Sequence, residues 1–255
     1  MLSLLKKLLN WTPPKPSPLK LFQGPEDDAE LSREEPSIEE IFERLSPPEN
    51  PLDPDAWDRY WRDQFELGTY KFCDMFVEDR RLIEALRARG GNRVLCIGNG
   101  ISLEPHALAA AGFAVEALDL SQFATLAASS ARPKPEALDQ IVGAQRGEGG
   151  SVRFITGDLF DPKTCPGPFD AVIERRTVQL YDGERRVQAF EGLLDRLSVN
   201  GLFLSHWHNG RWRPPAPRTH GAEGWFEQRG DIEVDKGRKT TPSQGRVAWL
   251  QLTTG

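Results

Sequence analysis

A short apolar stretch, Val94-Leu95-Cys96-Ile97, runs directly into Gly98-Asn99-Gly100-Ile101-Ser102, and a helix-periodic stretch over 103–111 follows. No other feature limits the fold as much. Four apolar residues closed by glycine read as a buried strand, and a strand that passes into a helix through a glycine turn opens a parallel α/β sheet. Glycine lets the backbone approach a ligand closely, and the helix start offers unpaired N–H groups. The same alternation continues along the chain. Strands are expected over 114–118, ending at Asp119, over 152–156, ending at Gly157-Asp158, and over 171–173 and 201–205. Helices are expected over 123–130 and 185–197, the latter with Leu193, Leu194 and Leu197 on one face. Residues 232–234 and 247–252 read as a terminal hairpin pair. Strands separated by helices imply a sheet covered on both faces.

The 255 residues carry a net charge of −6, unevenly placed. Residues 1–56 hold 6 basic and 12 acidic side chains, whereas 57–255 hold 26 of each. A neutral folded part excludes a nucleic-acid binder of the usual basic kind. Ten of the 20 prolines fall within 12–56, among dense carboxylates and few apolar residues. Such a segment cannot bury enough surface to offset its ordering entropy, so a mostly disordered leader over 1–56 and a folded domain over 57–255 are expected. Within the leader, Ser37 and Glu40 form a capping box ahead of Ile41, Phe42 and Leu45. Residues 1–11 differ: Met1, Leu2, Leu4, Leu5, Leu8, Leu9 and Trp11 share one half of a helical wheel and Ser3, Lys6, Lys7 and Asn10 the other. That pattern suits a membrane surface or a protein partner. Lys6 and Lys7 interrupt the apolar stretch, which argues against a signal peptide, and no run is long enough to span a membrane. Three scattered cysteines, Cys73, Cys96 and Cys165, exclude a disulfide scaffold and a zinc ribbon and fit a cytoplasmic protein.

Two acids give the glycine turn a chemical meaning. Asp119 lies 21 residues after Gly98, at the tip of the next strand, where a carboxylate can accept two hydrogen bonds from a ribose diol. It also precedes a helix, so a capping role is open. Asp158 closes the third strand, where it could receive an adenine amino group while Leu159 covers the ring. Three consecutive strands thus end in Gly, Asp and Asp.

These residues resemble class I S-adenosylmethionine-dependent methyltransferases over about 57–255. Val94 to Gly100 looks like the first cofactor motif, Asp119 the ribose acid, Asp158 the adenine-side acid and Phe169-Asp170-Ala171-Val172-Ile173 the fourth strand. A narrower resemblance is to the thiopurine methyltransferase-like branch. Trp57 and Trp61 precede the domain, Gly157-Asp158-Leu159-Phe160 is similar to that branch's Gly-Asp-Phe-Phe, and Phe169 to Arg175 is similar to its Phe-Asp-x-x-x-Asp-Arg. The resemblance implies a seven-stranded Rossmann-like sheet in order 3-2-1-4-5-7-6 with strand seven antiparallel. It also implies S-adenosyl-L-methionine as cofactor and methyl transfer to a small molecule. Gly98, Asn99, Gly100, Asp119, Leu120, Asp158, Leu159 and Arg175 would then hold the cofactor. Trp57, Tyr60 and Trp61 would line the acceptor site, with Glu174 or His206 as the base if one is needed. The sequence departs from the pattern at Ser102, where a third glycine is common, at Cys96, where an acid is frequent, and at Asn200, where proline is usual before Gly201.

His206 and His208 flank Trp207 at the end of the fifth strand and point to one face. No third ligand is evident beyond guesses at His220, Glu223 or Asp231, so no metal site is expected. Arg211-Trp212-Arg213 and Arg218 form a cationic aromatic stretch suited to an anionic or aromatic substrate or to solvent. Two other readings remain at this stage. One is a catalytically inactive methyltransferase-like binding protein tethered by its N-terminal helix, which would retain cofactor without turnover. The other is a nicotinamide dehydrogenase, which would prefer NADH.

Overall fold

A computed structural model describes residues 46–66, 77–133, 146–208, 225–235 and 240–251, together with Arg44 and Leu138. The chain divides into two compact units, Met1–Leu45 and Ser46–Gly255. The expected amphipathic helix over 1–11 and the helix led by Ser37 lie outside the described residues, as does the 211–218 stretch. Residues 46–56, assigned to the leader from composition, belong to the second unit, where Leu52 packs on the core.

Helix α1, Pro54–Glu66, starts where its chemistry says it should. Asp53 Oδ1 accepts the Ala56 N–H at 3.0 Å, and Pro54 occupies a first-turn position whose amide would have no partner. Helix α2, Val77–Ala88, closes on Gly90 at φ +70°, with the Gly91 amide donating back to the Leu86 carbonyl at 2.9 Å.

The sheet follows: β1 Arg93–Ile97, β2 Ala114–Asp119, β3 Ser151–Thr156, β4 Phe169–Arg175, β5 Leu197–His208, β6 Trp225–Asp235 and β7 Thr240–Gln251. Helices α3 (Glu104–Ala110), α4 (Gln122–Ser130) and α5 (Gly183–Leu194) connect them. The strands stand in the order β3-β2-β1-β4-β5-β7-β6, parallel from β3 to β5, with β7 antiparallel to both neighbours. The parallel α/β architecture read from the alternation is therefore present.

Because β1 is covered on both faces, its apolar run is continuous and alternate residues serve separate cores. Val94 and Cys96 join Ala107, Leu108, Val115 and Ile173 in one. Leu95 and Ile97 join Val172, Phe190, Leu193 and Phe203 in the other. Phe190 and Phe203 meet edge to face at 5.3 Å, and burying each contributes roughly 1.5–3 kcal/mol. One helix is shorter than its periodicity suggests: α5 stops at Leu194, and Leu197 opens β5. All three leucines still face the same core, so an apolar spacing that fits a helix is completed by the strand. Arg196 makes the break. Its guanidinium turns back to the Gly192 carbonyl at 2.7 Å and reaches the Leu159 and Asp161 carbonyls at 2.9 Å each.

Candidate active site

The carboxyl ends of β1, β2, β3 and β4 lie along one edge of the sheet, so Gly98, Asp119, Asp158 and Arg175 are brought to it by topology. Gly98 and Gly100 adopt φ of +61° and +52°, which favours glycine at both. They are also tightly covered. A Cβ on Gly98 would meet Thr177 Oγ1, and one on Gly100 would run into the Trp61 ring. Asn99 is buried and donates from Nδ2 to the Gly100 carbonyl at 3.0 Å. Ser102 Oγ accepts the Glu104 N–H at 3.1 Å, so a serine in place of a third glycine helps start α3.

Asp119 holds the two adjoining turns together. Its Oδ2 accepts the Gly100 N–H at 2.7 Å and its Oδ1 the Ser121 N–H at 2.8 Å. Burial pushes its carboxyl up to about 6, against the Ser121 and Gly100 amides that favour the charged form; the nearby Asp58 carboxylate pushes it further up. The capping reading and the ligand reading of Asp119 are therefore not exclusive. The Gly100 and Ser121 hydrogen bonds, with the Leu120 amide also facing the group, leave lone-pair capacity on a carboxylate that accepts about four hydrogen bonds. A diol would fill it and relieve the cost of a buried charge. Leu120, the next residue, is half-buried.

Asp158 accepts the Phe160 N–H at 2.9 Å in a turn after β3. Leu159 packs into the second core at 7% exposure. Sequence reasoning missed Tyr181, buried after the 3-10 turn Val178–Leu180 and edge-on to Phe160 at 5.1 Å. Its hydroxyl is held well above the ordinary tyrosine range by burial, then by the carboxylates of Asp158 and Asp119. Its environment thus feels the charge of both strand-end acids. No local pattern in the sequence marks it.

Arg175 forms a two-pronged ion pair with Glu104, Nε to Oε2 at 2.7 Å and Nη2 to Oε1 at 2.5 Å. Glu104 was not singled out from sequence. It opens α3, so the pair ties the helix after the glycine turn to the end of β4. Glu174 is fully buried, and its oxygens accept from the Ser205 hydroxyl and from the Thr177 and Val178 amides, the last two at 3.0 and 3.2 Å. It therefore fixes the turn that seats Thr177 on Gly98. Burial pushes its carboxyl up to about 7, outweighing the Ser205 and amide hydrogen bonds that lower it. A folded-state value raised above the ordinary 4.5 means that the folded protein holds the proton more tightly. This contribution to stability is present below 4.5 and is lost as pH rises through about 7. Glu174→Gln should flatten that part of the stability profile, as denaturant melts across the range would show. An unchanged slope would contradict the assignment.

On α1, Trp57 Nε1 donates to the Pro51 carbonyl at 3.1 Å. Trp57, Tyr60 and Trp61 form an edge-to-face series with centroids 5.4 and 5.1 Å apart. Burial raises the Tyr60 hydroxyl, and the Arg176 charge opposes it. The aromatic trio thus lies beside the glycine turn, with Trp61 directly on it. His206 lies on β5 opposite Arg175 of β4; its side chain lies outside the described residues. No group of three metal-ligating side chains occurs among the described residues, and none of their helices is long and apolar enough to cross a membrane.

The sheet and its loaded edge define the class I methyltransferase fold. Plantazolicin methyltransferase BpumL, solved in complex with SAH, matches at 14% identity over 84% of this chain and 99% of that chain, with TM-score 0.52. Magnesium protoporphyrin IX methyltransferase (ChlM) from Synechocystis PCC 6803, solved with bound SAM, matches at 16% identity over 82% and 99%, with TM-score 0.50. At such identities the likeness is one of fold. The family model of thiopurine S-methyltransferase matches residues 52–203, more than half of the chain. The chain belongs to that family and is a methyltransferase. No curated protein matches it.

Proposed function

We propose that the protein transfers a methyl group from S-adenosyl-L-methionine to a small-molecule acceptor. The observation that carries this reading is the bridge at Asp119, which joins the glycine turn after β1 to the start of α4 within a domain of the thiopurine S-methyltransferase family. The donor set fits the cofactor: a buried acid with unused lone pairs for a ribose diol, a second acid at Asp158 for the adenine side, and a glycine turn with open φ. When bound, the cofactor supplies an electrophilic methyl already activated by its sulfonium charge.

The chain's own contribution is to bind, orient and exclude water. Asp119 accepts the ribose hydroxyls, with Leu120 beside it. Gly98, Asn99 and Gly100 shape the turn around the methionine end, and Asp158 and Leu159 hold the adenine side. Arg175, anchored by Glu104, presents fixed positive charge near the same end. Trp57, Tyr60 and Trp61 line the acceptor side and keep it dry. We assign Glu174 to holding the Thr177 turn and leave base catalysis, where an acceptor needs it, to His206. A thiolate or another soft nucleophile needs no base. A cytoplasmic location is part of the same reading.

The inactive-descendant reading rests on the departures at Ser102 and Cys96; Ser102 Oγ accepts the Glu104 amide as α3 begins, and Cys96 is buried in β1, which gives each residue a structural reason. The experiment is incubation with methyl-labelled S-adenosyl-L-methionine and separate panels of aromatic thiols, aliphatic thiols, amines and carboxylic acids. Label in a small product supports methyl transfer to a small acceptor. Cofactor binding with no label in any panel, but label in added protein or peptide, would overturn the acceptor class.

A further inference from the structure

We propose that Asp58 is a positioning residue for the cofactor: from helix α1 it holds Ser121, and through Ser121 it fixes the Asp119 carboxylate. The inference rests on the reading of Asp119 as the ribose acceptor. Ser121 is fully buried and is used in three directions. Its amide donates to Asp119 Oδ1 at 2.8 Å, its Oγ accepts the Ala124 N–H at 3.0 Å, and its hydroxyl donates to Asp58 Oδ1 at 2.5 Å. The same Asp58 oxygen accepts the Phe123 N–H at 3.0 Å. Asp58 therefore sets the direction of the Ser121 hydroxyl proton and leaves its lone pair to the cap of α4. The start of α4 then holds the amide on which Asp119 rests.

The rest of α1 explains why this role can be separated from simple docking. Asp58, Trp61, Arg62 and Phe65 are spaced i, i+3, i+4 and i+7, which is one helix face. Trp61 covers Gly100. The Arg62 guanidinium lies 5.0 Å from the Phe123 ring centroid, and Phe65 meets the same ring edge-on at 6.1 Å. The helix remains anchored by these contacts when Asp58 is shortened. Both Asp58 and Trp61 act on Asp119's partners, one on Ser121 and the other on Gly100, so one helix face braces the two residues whose amides the carboxylate accepts at 2.8 and 2.7 Å.

Asp58 also places a like charge near Asp119. The groups facing Asp119 are Asp58 from α1, Tyr181 from the segment after β4, and the amides of Gly100, Leu120 and Ser121. Asparagine at 58 supplies the same acceptor oxygen without the charge. This separates positioning from electrostatics.

The test is calorimetric titration of S-adenosylhomocysteine across pH with the wild type, Asp58→Ala, Asp58→Asn, Ser121→Ala and the Asp58→Ala/Ser121→Ala double variant, with melting temperatures alongside. At about pH 8, Asp58→Ala should weaken binding about tenfold, the scale of one lost buried hydrogen bond. Asp58→Asn should stay within about twofold there, while the loss of affinity on acidification moves to lower pH. Ser121→Ala should also weaken binding, and adding Asp58→Ala to it should cost little more. Unchanged affinity in a folded Asp58→Ala would overturn the proposal. So would equal weakening by Asp58→Asn with an unmoved acid limb. A wild type that binds no S-adenosylhomocysteine would instead overturn the cofactor reading on which the proposal stands.

Discussion

Asp119→Ala is expected to weaken S-adenosylhomocysteine binding by at least ~10²-fold at neutral pH. The carboxylate would give two ribose hydroxyls charged acceptors, and hydrogen bonds to charged groups contribute about 1.5–3 kcal/mol each. The same substitution removes the acceptor of the Gly100 and Ser121 amides, and each buried donor left unpaired costs about 1–3 kcal/mol. Some of that loss is offset because a buried acid pushed up to about 6 is itself under strain when charged. Affinity should therefore fall far more than stability. The wild type provides its own control. Its cofactor affinity should decline as pH drops through about 6, because protonation removes an acceptor oxygen. Calorimetry with parallel melts separates the two effects. Asp119→Ala affinity within threefold of wild type would remove Asp119 from the cofactor site.

The Glu104–Arg175 pair carries the largest expected stability effect. Glu104 is 5% exposed, and its carboxylate oxygens are met at 2.7 and 2.5 Å by one guanidinium. Arg175→Ala would leave that buried charge without its counterion, at a cost of about 3–5 kcal/mol. In a domain of this size each kcal/mol shifts Tm by roughly 2–4 °C, so a fall on the order of 10 °C is expected. The exchange Glu104→Leu with Arg175→Met should recover most of it, because the penalty comes from breaking the pair rather than from lacking it. A thermal double-mutant cycle tests this. Singles and double that lose stability additively would show that the pair does not act as a unit. The double should still bind cofactor less well than wild type if Arg175 presents charge at the methionine end.

The pair also shows what the sequence could and could not reveal. Gly98, Gly100, Asp119 and Asp158 were legible as neighbours because each lies at or within three residues of a strand end, and strand ends in a parallel sheet converge on one edge. Their spacing along the chain is enough to bring them together. Glu104 and Arg175 lie 71 residues apart, and Asp58 and Ser121 lie 63 apart. Each half looks like an ordinary surface charge or helix cap. Only the packing of α1 and α3 on the sheet makes them partners. Tyr181 is hidden for the same reason: nothing in its own segment says that it will be buried against Phe160 and feel the charge of two acids from other segments. Glu174 carried a different ambiguity. A lone acid at a strand end can face the cleft or turn inward, and the choice was made by Ser205 on β5 and two amides of the next turn. The end of α5 was misjudged because Leu193, Leu194 and Leu197 serve one core across a helix-to-strand change, a case where periodicity alone is degenerate.

Whether the domain holds an adenosyl cofactor is read directly by calorimetric titration of the wild-type protein with S-adenosylhomocysteine, with NADH as the competing dinucleotide. Saturable binding of the adenosyl ligand, with none for NADH, is the predicted result. No binding of S-adenosylhomocysteine at millimolar concentration, in a protein shown to be folded, would mean that the glycine turn and Asp119 do not form a cofactor site.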